Sequence, residues 1–425
     1  MSSSSGTLVA PCGLVNAPTD LVVSEGGRLL VTLTTDPAAA VLTVGDVLNT
    51  VLQEDGRTLK IKPAYGVVGP QEIPLHLECA GTSADVVLPV NIRALRWSST
   101  PSWMPGRNGP LAREYGSIWM DSQDPNRLLV FGGFVYVPRQ FTVSWDGWSL
   151  DVTTGEWTFL SMTNDPPHLA GGRMLNLPGR RTSFYYGGLT QESDTPYSLM
   201  NFDYAPDALS WAPVPADTSN THGDYQPAFI LDAPRQRFLT LCGVNTTVGY
   251  HCGINAFHGS ETAPGGWLSV RPADGPAPTG RNGIFYVHDE ETERFIMFSG
   301  DQGGTTAAGD MAQDLWAFEL AEDRWVKLSD GDPSVIGRRN GAYMLDPVNH
   351  RMFIWGGTAN GMTTTPGLFA LDLDRGEEHW DRVTVDGEPP IRTSAMAVYD
   401  AARARMLVGF GNGDAIYADL WALEL

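Results

Sequence analysis

Arg113, Arg173, Arg281, Arg339 and Arg392 each stand upstream of a glycine that recurs along this chain, at the start of the strand that opens a repeat. The third copy carries Asp224 there instead. A guanidinium is planar, permanently charged and forked, so it meets a carboxylate through two parallel hydrogen bonds. Arg281-Asn-Gly283 and Arg339-Asn-Gly341 share a context, with Arg107-Asn-Gly109 an extra copy slightly out of phase. Two roles fit such a set: contact with an acidic ligand, or struts that bond the carbonyls of a neighbouring sheet.

A second set follows the glycines: Asn245, Asp301, Asn360 and Asn412. Amides and carboxylates around one axis would suit sugar hydroxyls or a hydrated cation, while the same residue types favour tight turns for backbone reasons alone. A third set crowds the third repeat, which holds His222, Asp224, Tyr225, Cys242, Tyr250, His251, Cys252 and His258. His222, Asp224 and His251 could ligate zinc, copper or iron there; a disulfide beside polar loop histidines is the plainer account, and no cofactor is expected. No Gly-x-Ser-x-Gly, His-Glu-x-x-His, phosphate-binding or dinucleotide motif occurs.

The elements that must position these residues are written in a repeat. Arg127-Leu-Leu-Val-Phe-Gly-Gly133 returns as Thr182-Ser-Phe-Tyr-Tyr-Gly-Gly188, Arg237-Phe-Leu-Thr-Leu-Cys-Gly243 and Arg294-Phe-Ile-Met-Phe-Ser-Gly300. Arg351-Met-Phe-Ile-Trp-Gly-Gly357 and Arg405-Met-Leu-Val-Gly-Phe-Gly411 complete the series, with final glycines 54 to 57 residues apart. Upstream of most copies lies a turn from Asp to Arg, as in Asp232-Ala-Pro-Arg-Gln-Arg237, and turns of this composition join hairpin strands. Downstream, Trp157, Trp211, Trp267, Trp325 and Trp380 each close a unit. Four short strands per unit describe a propeller blade, in which glycine admits close backbone approach near the axis and tryptophan fills space between blades.

This combination of a Gly-Gly strand, an aromatic strand and a late Trp resembles the kelch repeat, over about Arg93 to Leu425. Cys242, Ser299 and Phe410 depart from the first glycine. The expected fold is all-β: a six-bladed kelch β-propeller over residues 93–425, preceded by a small β-sandwich over 1–92. The chain stops after the third strand of the sixth unit, so Ile92–Ser98 is expected to pair with the last blade and remove two open sheet edges. Alternating runs such as Arg28-Leu-Leu-Val-Thr-Leu-Thr34 make the sandwich similar to immunoglobulin-like or cadherin-like modules of bacterial surface proteins.

The resemblance implies that the start of each innermost strand borders a central funnel. Arg113, Arg281, Arg339 and Arg392 would then form an anion-facing rim, with Asp224, Asn245, Asp301, Asn360 and Asn412 beside it. Arg173 stands apart because its strand is several residues shorter. Kelch propellers host both binding proteins and enzymes. The leading expectation is a recognition protein that binds a peptide, glycan or acidic small molecule at the funnel. The alternative is an enzyme, either similar to the kelch sialic-acid epimerase or a metal-dependent oxidase centred on the third blade. Tyr250-His251 is similar to a pair in copper-radical oxidases, though it follows the glycine rather than lying on the innermost strand.

A net charge of −21 repels phosphate backbones and anionic lipid, so nucleic acid and membrane insertion are not expected. Cysteines number four, one pair in each region, which suits disulfides Cys12–Cys79 and Cys242–Cys252 and an extracellular, periplasmic or cell-surface location. Ser2–Gly6 has the texture of a tether behind a lipidated N-terminus.

Overall fold

The computed structural model describes residues 12–15, 17–99, 103, 109–137, 140–163, 168–190, 199–214, 216–217, 223–258, 265–303 and 311–425. Their regular structure is strand, apart from short 3₁₀ turns such as Ala233–Arg235. Two compact units result: one runs to Arg96 and takes in Asp346–Arg351 and Leu425, the other comprises Trp97–Leu345 and Met352–Glu424.

The first unit is a small β-sandwich. One sheet orders Leu21–Ser24, Thr82–Arg93, Gly69–Cys79 and Val41–Val44; the other orders Leu29–Thr32, Thr58–Ile61 and Val51–Leu52. Period-two patterning drives this arrangement. Ile73, Leu75 and Leu77 point inward from one strand and Leu88, Val90 and Ile92 from its neighbour, against Leu59 and Ile61 of the opposite sheet. Cys12 and Cys79 are bridged across a separation of 67 residues.

In the second unit most strands form successive antiparallel groups of four, the blades of a β-propeller; blade three gains Ala216–Asp217 in parallel, and Arg113–Glu114, Phe134–Val137 and Gln140–Val143 form a separate small sheet. Blade four is typical: Phe285–Asp289, Arg294–Phe298, Leu315–Glu319 and Arg324–Ser329, in that spatial order. Blades one and two merge at their outer strands, where Ser161 and Met162 pair in parallel with Ala208 and Leu209. The sheet of blade six orders Arg96–Ser98, Leu420–Glu424, Arg405–Gly409 and Met396–Asp400. Ser98 also donates its hydroxyl to Glu424 at 2.9 Å.

Second strands such as Arg294–Phe298 are buried at every residue, because each blade is covered on both faces. The apolar cores accordingly straddle neighbouring blades. Leu129 and Phe131 of blade one pack with Tyr185 and Phe202 of blade two, and Phe184 and Tyr186 pack with Phe229 and Phe238 of blade three. Leu128 and Val130 meet Leu407 and Ala422 of blade six, with Trp157 against the same cluster. Trp267, Trp325 and Trp380 likewise sit in inter-blade clusters. Each such side chain contributes about 1.5–3 kcal/mol by leaving water.

The Asp-to-Arg turns have a second purpose besides reversing the chain. Arg237 Nε reaches Asp232 at 2.8 Å, Arg351 Nε reaches Asp346 at 3.0 Å and Arg405 Nε reaches Asp400 at 2.9 Å, each pair buried. These arginines hold the hairpin that joins first and second strands.

Candidate functional site

A ring of backbone hydrogen bonds closes around the axis. The last glycine of each repeat donates its N–H to the first residue of the next inner segment: Gly133 to Leu169, Gly188 to Asp224, Gly243 to Arg281, Gly300 to Arg338 and Gly357 to Arg392. Gly411 donates to Arg113 at 2.7 Å and returns the ring to its origin. Side chains are excluded there: a Cβ on Gly133 would lie 2.7 Å from the Glu114 carbonyl oxygen. The residue before each of these glycines is left-handed in every repeat, with φ 64° at Gly132, 74° at Gly187 and 68° at Gly356. Cys242, Ser299 and Phe410 adopt it too, at 56°, 61° and 59°, a conformation that costs a residue with a side chain about 1–3 kcal/mol. Ser299 offsets this with its hydroxyl, which accepts the Arg338 N–H at 2.7 Å and donates to the Ala312 carbonyl at 2.6 Å.

Two residues beyond each ring position lies a second left-handed residue: Tyr115, Gly171, Gln226, Gly283, Asn340 and Ser394. Gly171 N–H donates to Tyr115, Gln226 to Gly171, Asn340 to Gly283, Ser394 to Asn340 and Tyr115 to Ser394. This inner ring corrects the expected alignment. Arg281-Asn282-Gly283 matches Arg338-Arg339-Asn340, so Arg338 rather than Arg339 takes the phase of Arg281. Asn340 stands where Gly283 does because asparagine tolerates the left-handed region. In blade two the same place falls to Leu169, four residues before Arg173.

Arg113, Arg281 and Arg392 all occupy the ring position, and each is buried in an ion pair. Arg113 donates to both oxygens of Asp146 at 2.8 and 2.9 Å, Arg281 to Asp314 at 2.5 and 3.3 Å and Arg392 to Asp419 at 2.5 and 3.2 Å. A tryptophan two residues on completes each set: Trp148, Trp316 and Trp421 donate their indole N–H to the same aspartate. Burial pushes the Asp146 and Asp314 carboxyls up, but the arginine hydrogen bonds outweigh it and hold both below the usual range. The arginines also donate to carbonyls at the left-handed turns, as Arg113 does to Gly132 at 2.9 Å. They are struts. Arg338 has no such aspartate, since Gly367 stands in its place; its guanidinium bonds carbonyls and lies 5.0 Å from the Phe369 ring centre.

The axial cavity belongs to other residues. It has a volume of about 220 Å³ and is lined by Tyr115, Arg173, Gln226, Tyr286, Asn340, Tyr343 and Ser394, with methionine, isoleucine and small residues between them. Arg173 is its one charged group among the described residues. Its Nε donates to the Pro227 carbonyl at 3.1 Å. Among the described residues no carboxylate pairs with this guanidinium, and its terminal nitrogens carry no hydrogen bond. Burial works to lower its pKa, yet the tyrosines around it, Tyr343 and Tyr286 foremost, leave the net shift upward. Burial raises the Tyr115 and Tyr343 hydroxyls, so both remain protonated near neutrality. Asn340 Nδ2 donates to the Tyr115 hydroxyl at 2.9 Å, and Asn282 Nδ2 to the Gln226 side-chain Oε1 at 3.2 Å. The result is a chamber with one fixed cation and several neutral hydrogen-bonding groups.

The remaining expected residues fall into separate clusters. Asp224 is 1% exposed and occupies the ring position of blade three. It receives Asn245 Nδ2 at 2.7 Å and His251 Nε2 at 2.8 Å, and the Tyr186 hydroxyl lies 3.4 Å away. Gly253 N–H donates to His251 Nδ1 at 3.2 Å, which fixes the proton on Nε2. Both ring nitrogens are engaged in these bonds. His222 lies outside the described residues, as do Arg107 and Ser2–Gly6. Cys242 is bridged to Cys252 beside this pair, and Tyr250-His251 belongs to the strand Gly249–His258 rather than a loop. Asp301 pairs with Arg339 Nη1. Asn360 caps its own turn, accepting N–H bonds from Met362 at 2.9 Å and Thr363 at 2.8 Å. Asn412 bonds Glu114, whose carboxyl is raised by burial.

Sequence reasoning did not single out Tyr115, Gln226, Tyr286, Asn340, Tyr343 or Ser394. A usable signal existed in the polar or glycine residue two places after each ring position, but it emerges only once the repeats are in register.

Residues 255–425 match the KLHDC2/KLHL20/DRC7 Kelch-repeats domain. The chain is similar to the serine/threonine-protein phosphatase BSL2 of Arabidopsis thaliana, at 26% identity over 149 residues, covering 31% of this chain and 14% of that protein. It is also similar to a solved structure titled "Structure of YjhT", with a TM-score of 0.49 and 15% identity, covering 73% of this chain and 91% of that one. Over residues 255–425 the chain is thus similar to kelch-repeat domains, and its hydrogen-bond rings are those of a β-propeller.

Proposed function

We propose that this protein is a recognition module that binds a small carboxylate-bearing ligand, an acidic sugar or acidic peptide side chain, in the axial cavity of its propeller. The observation that carries this reading is Arg173. A cation withdrawn from bulk water normally has a carboxylate partner, and Arg113, Arg281 and Arg392 each have one, whereas the half-buried Arg173 borders a chamber of neutral hydrogen-bonding groups without one. A ligand carboxylate would accept the guanidinium fork there, with Tyr115, Tyr343 and Ser394 within the same lining.

Kelch propellers are commonly interaction scaffolds, which agrees with a binding role. The described lining contains no Asp, Glu or His; burial pushes the Tyr115 and Tyr343 hydroxyls up, so near neutrality they stand there as hydrogen-bond donors. The two disulfides suit an oxidising compartment, and we take the protein to work outside the cytoplasm. The sandwich would then act as an immunoglobulin-like or cadherin-like spacer of a bacterial surface protein.

Calorimetric titration with galacturonate and galactose tests the reading. Galacturonate binding to wild type, absence of galactose binding, and at least about a tenfold loss in Arg173→Met are expected, since a hydrogen bond to a charged group contributes about 1.5–3 kcal/mol. Undiminished galacturonate affinity in Arg173→Met would refute it.

A further inference from the structure

A second cavity, of about 280 Å³, lies among the loops that follow the glycines of blades five and six. Thr358, Met362, Thr364, Thr393, Asn412 and Asp414 line it together with backbone of Gly361 and Gly413. It shares no lining residue with the axial cavity.

Part of this lining is internally satisfied. Thr393 donates to the Asn340 carbonyl at 3.1 Å, and Thr358 to Asn360 Oδ1 at 3.3 Å. These bonds hold the floor. Asp414 is exposed, and its carboxylate has no hydrogen bond or ion pair among the described residues. The Thr364 hydroxyl is likewise uncommitted, although its backbone bridges to Thr358. Met362 is 81% exposed, the highest of the large apolar side chains among the described residues.

The chemistry of this lining narrows its occupant. A hard cation seeks six or more oxygens and usually several carboxylates, but the lining holds one. An anion would face the Asp414 carboxylate, and the guanidinium beside Gly361, that of Arg339, already has a carboxylate in Asp301 through Nη1. An apolar ligand would bury hydroxyls without partners, which is costly. A neutral polyhydroxyl ring meets all three free groups. A carboxylate accepts from two hydroxyls, threonine both donates and accepts, and a methionine thioether packs on a C–H face. The volume lies just below the usual ligand range of about 300–1,000 Å³, which suits a single ring.

We propose that the cleft between the blade-five and blade-six loops is a binding site for a neutral pyranose, held by Asp414 and Thr364 over Met362. The site stands apart from Arg173 and does not depend on the role given to that residue.

Saturation-transfer NMR with methyl α-D-mannopyranoside and methyl α-D-glucopyranoside provides the test. Wild type is expected to transfer saturation to at least one of them. Asp414→Ala should weaken that binding by about tenfold or more, Met362→Ala should reduce transfer to the ring C–H protons, and Arg173→Met should leave both unchanged. Asp414 and Met362 are exposed, so both variants should melt like wild type. No transfer to either sugar in wild type overturns the proposal, as does transfer that survives Asp414→Ala or disappears in Arg173→Met.

Discussion

Arg281 and Arg173 are both arginines near the propeller axis, yet they have opposite circumstances. Arg281 lies buried in a bidentate pair with Asp314, which also receives the Trp316 indole. Arg173 borders the axial cavity with one backbone carbonyl for a partner. The difference does not reside in the residue type or in its own strand. It comes from the third strand of the blade, which begins Asp-x-Trp in blades one, four and six and supplies a carboxylate at the ring position. A residue four places further along receives none. Blade three inverts the pattern, with Asp224 in the arginine place and Asn245 and His251 as donors to it.

Breaking the strut should have the largest effect. Arg281→Met strands the Asp314 carboxylate and is expected to lower unfolding free energy by about 3–5 kcal/mol, the range for severed buried pairs, measured by urea denaturation. A loss similar to that of Arg173→Met would erase the distinction between the two arginines. Next, the combined Cys242→Ser and Cys252→Ser variant releases a loop of separation 10 and should cost about 2–3 kcal/mol on the chain-entropy account. If the Asp224–His251 bond depends on that bridge, His251→Gln will then cost less in the serine background than in wild type.

Arg173→Met should change stability by only about 1 kcal/mol or less, because it breaks one hydrogen bond and no ion pair. A larger loss on the same denaturation curve would make Arg173 a strut after all. The smallest effect belongs to an exposed pair, the foil to both. His379 bonds Asp381, and that bond raises its pKa to about 9. A folded pKa above the unfolded 6.5 gives stability that is full below pH 6.5 and lost as pH rises through about 9. Screening at this exposed site limits it to about 0.5 kcal/mol. His379→Gln should flatten that part of the pH–stability curve, and an unchanged slope would assign it to another group.

Legibility followed distance along the chain. Gly133, Gly188 and their counterparts announced the blades because the backbone requirement is local and recurs. The closing tryptophans were readable for the same reason. The register of blade five was not, since two Arg-Asn-Gly triplets suggested one alignment while the hydrogen-bond rings impose another, one residue away. Arg113, Arg281 and Arg392 drew attention as cations. Their partners Asp146, Asp314 and Asp419 lie 27 to 33 residues downstream, and no local pattern joins them.

What the amino-acid order determined alone is the periodic framework: left-handed turns, buried second strands and cysteines grouped by unit. These depend on backbone sterics and on apolar patterning within a few residues. The tertiary structure decided which charges are available. An arginine is a strut or a ligand contact according to whether a distant strand brings a carboxylate to it, and that proximity exists only when the blades have assembled around their axis.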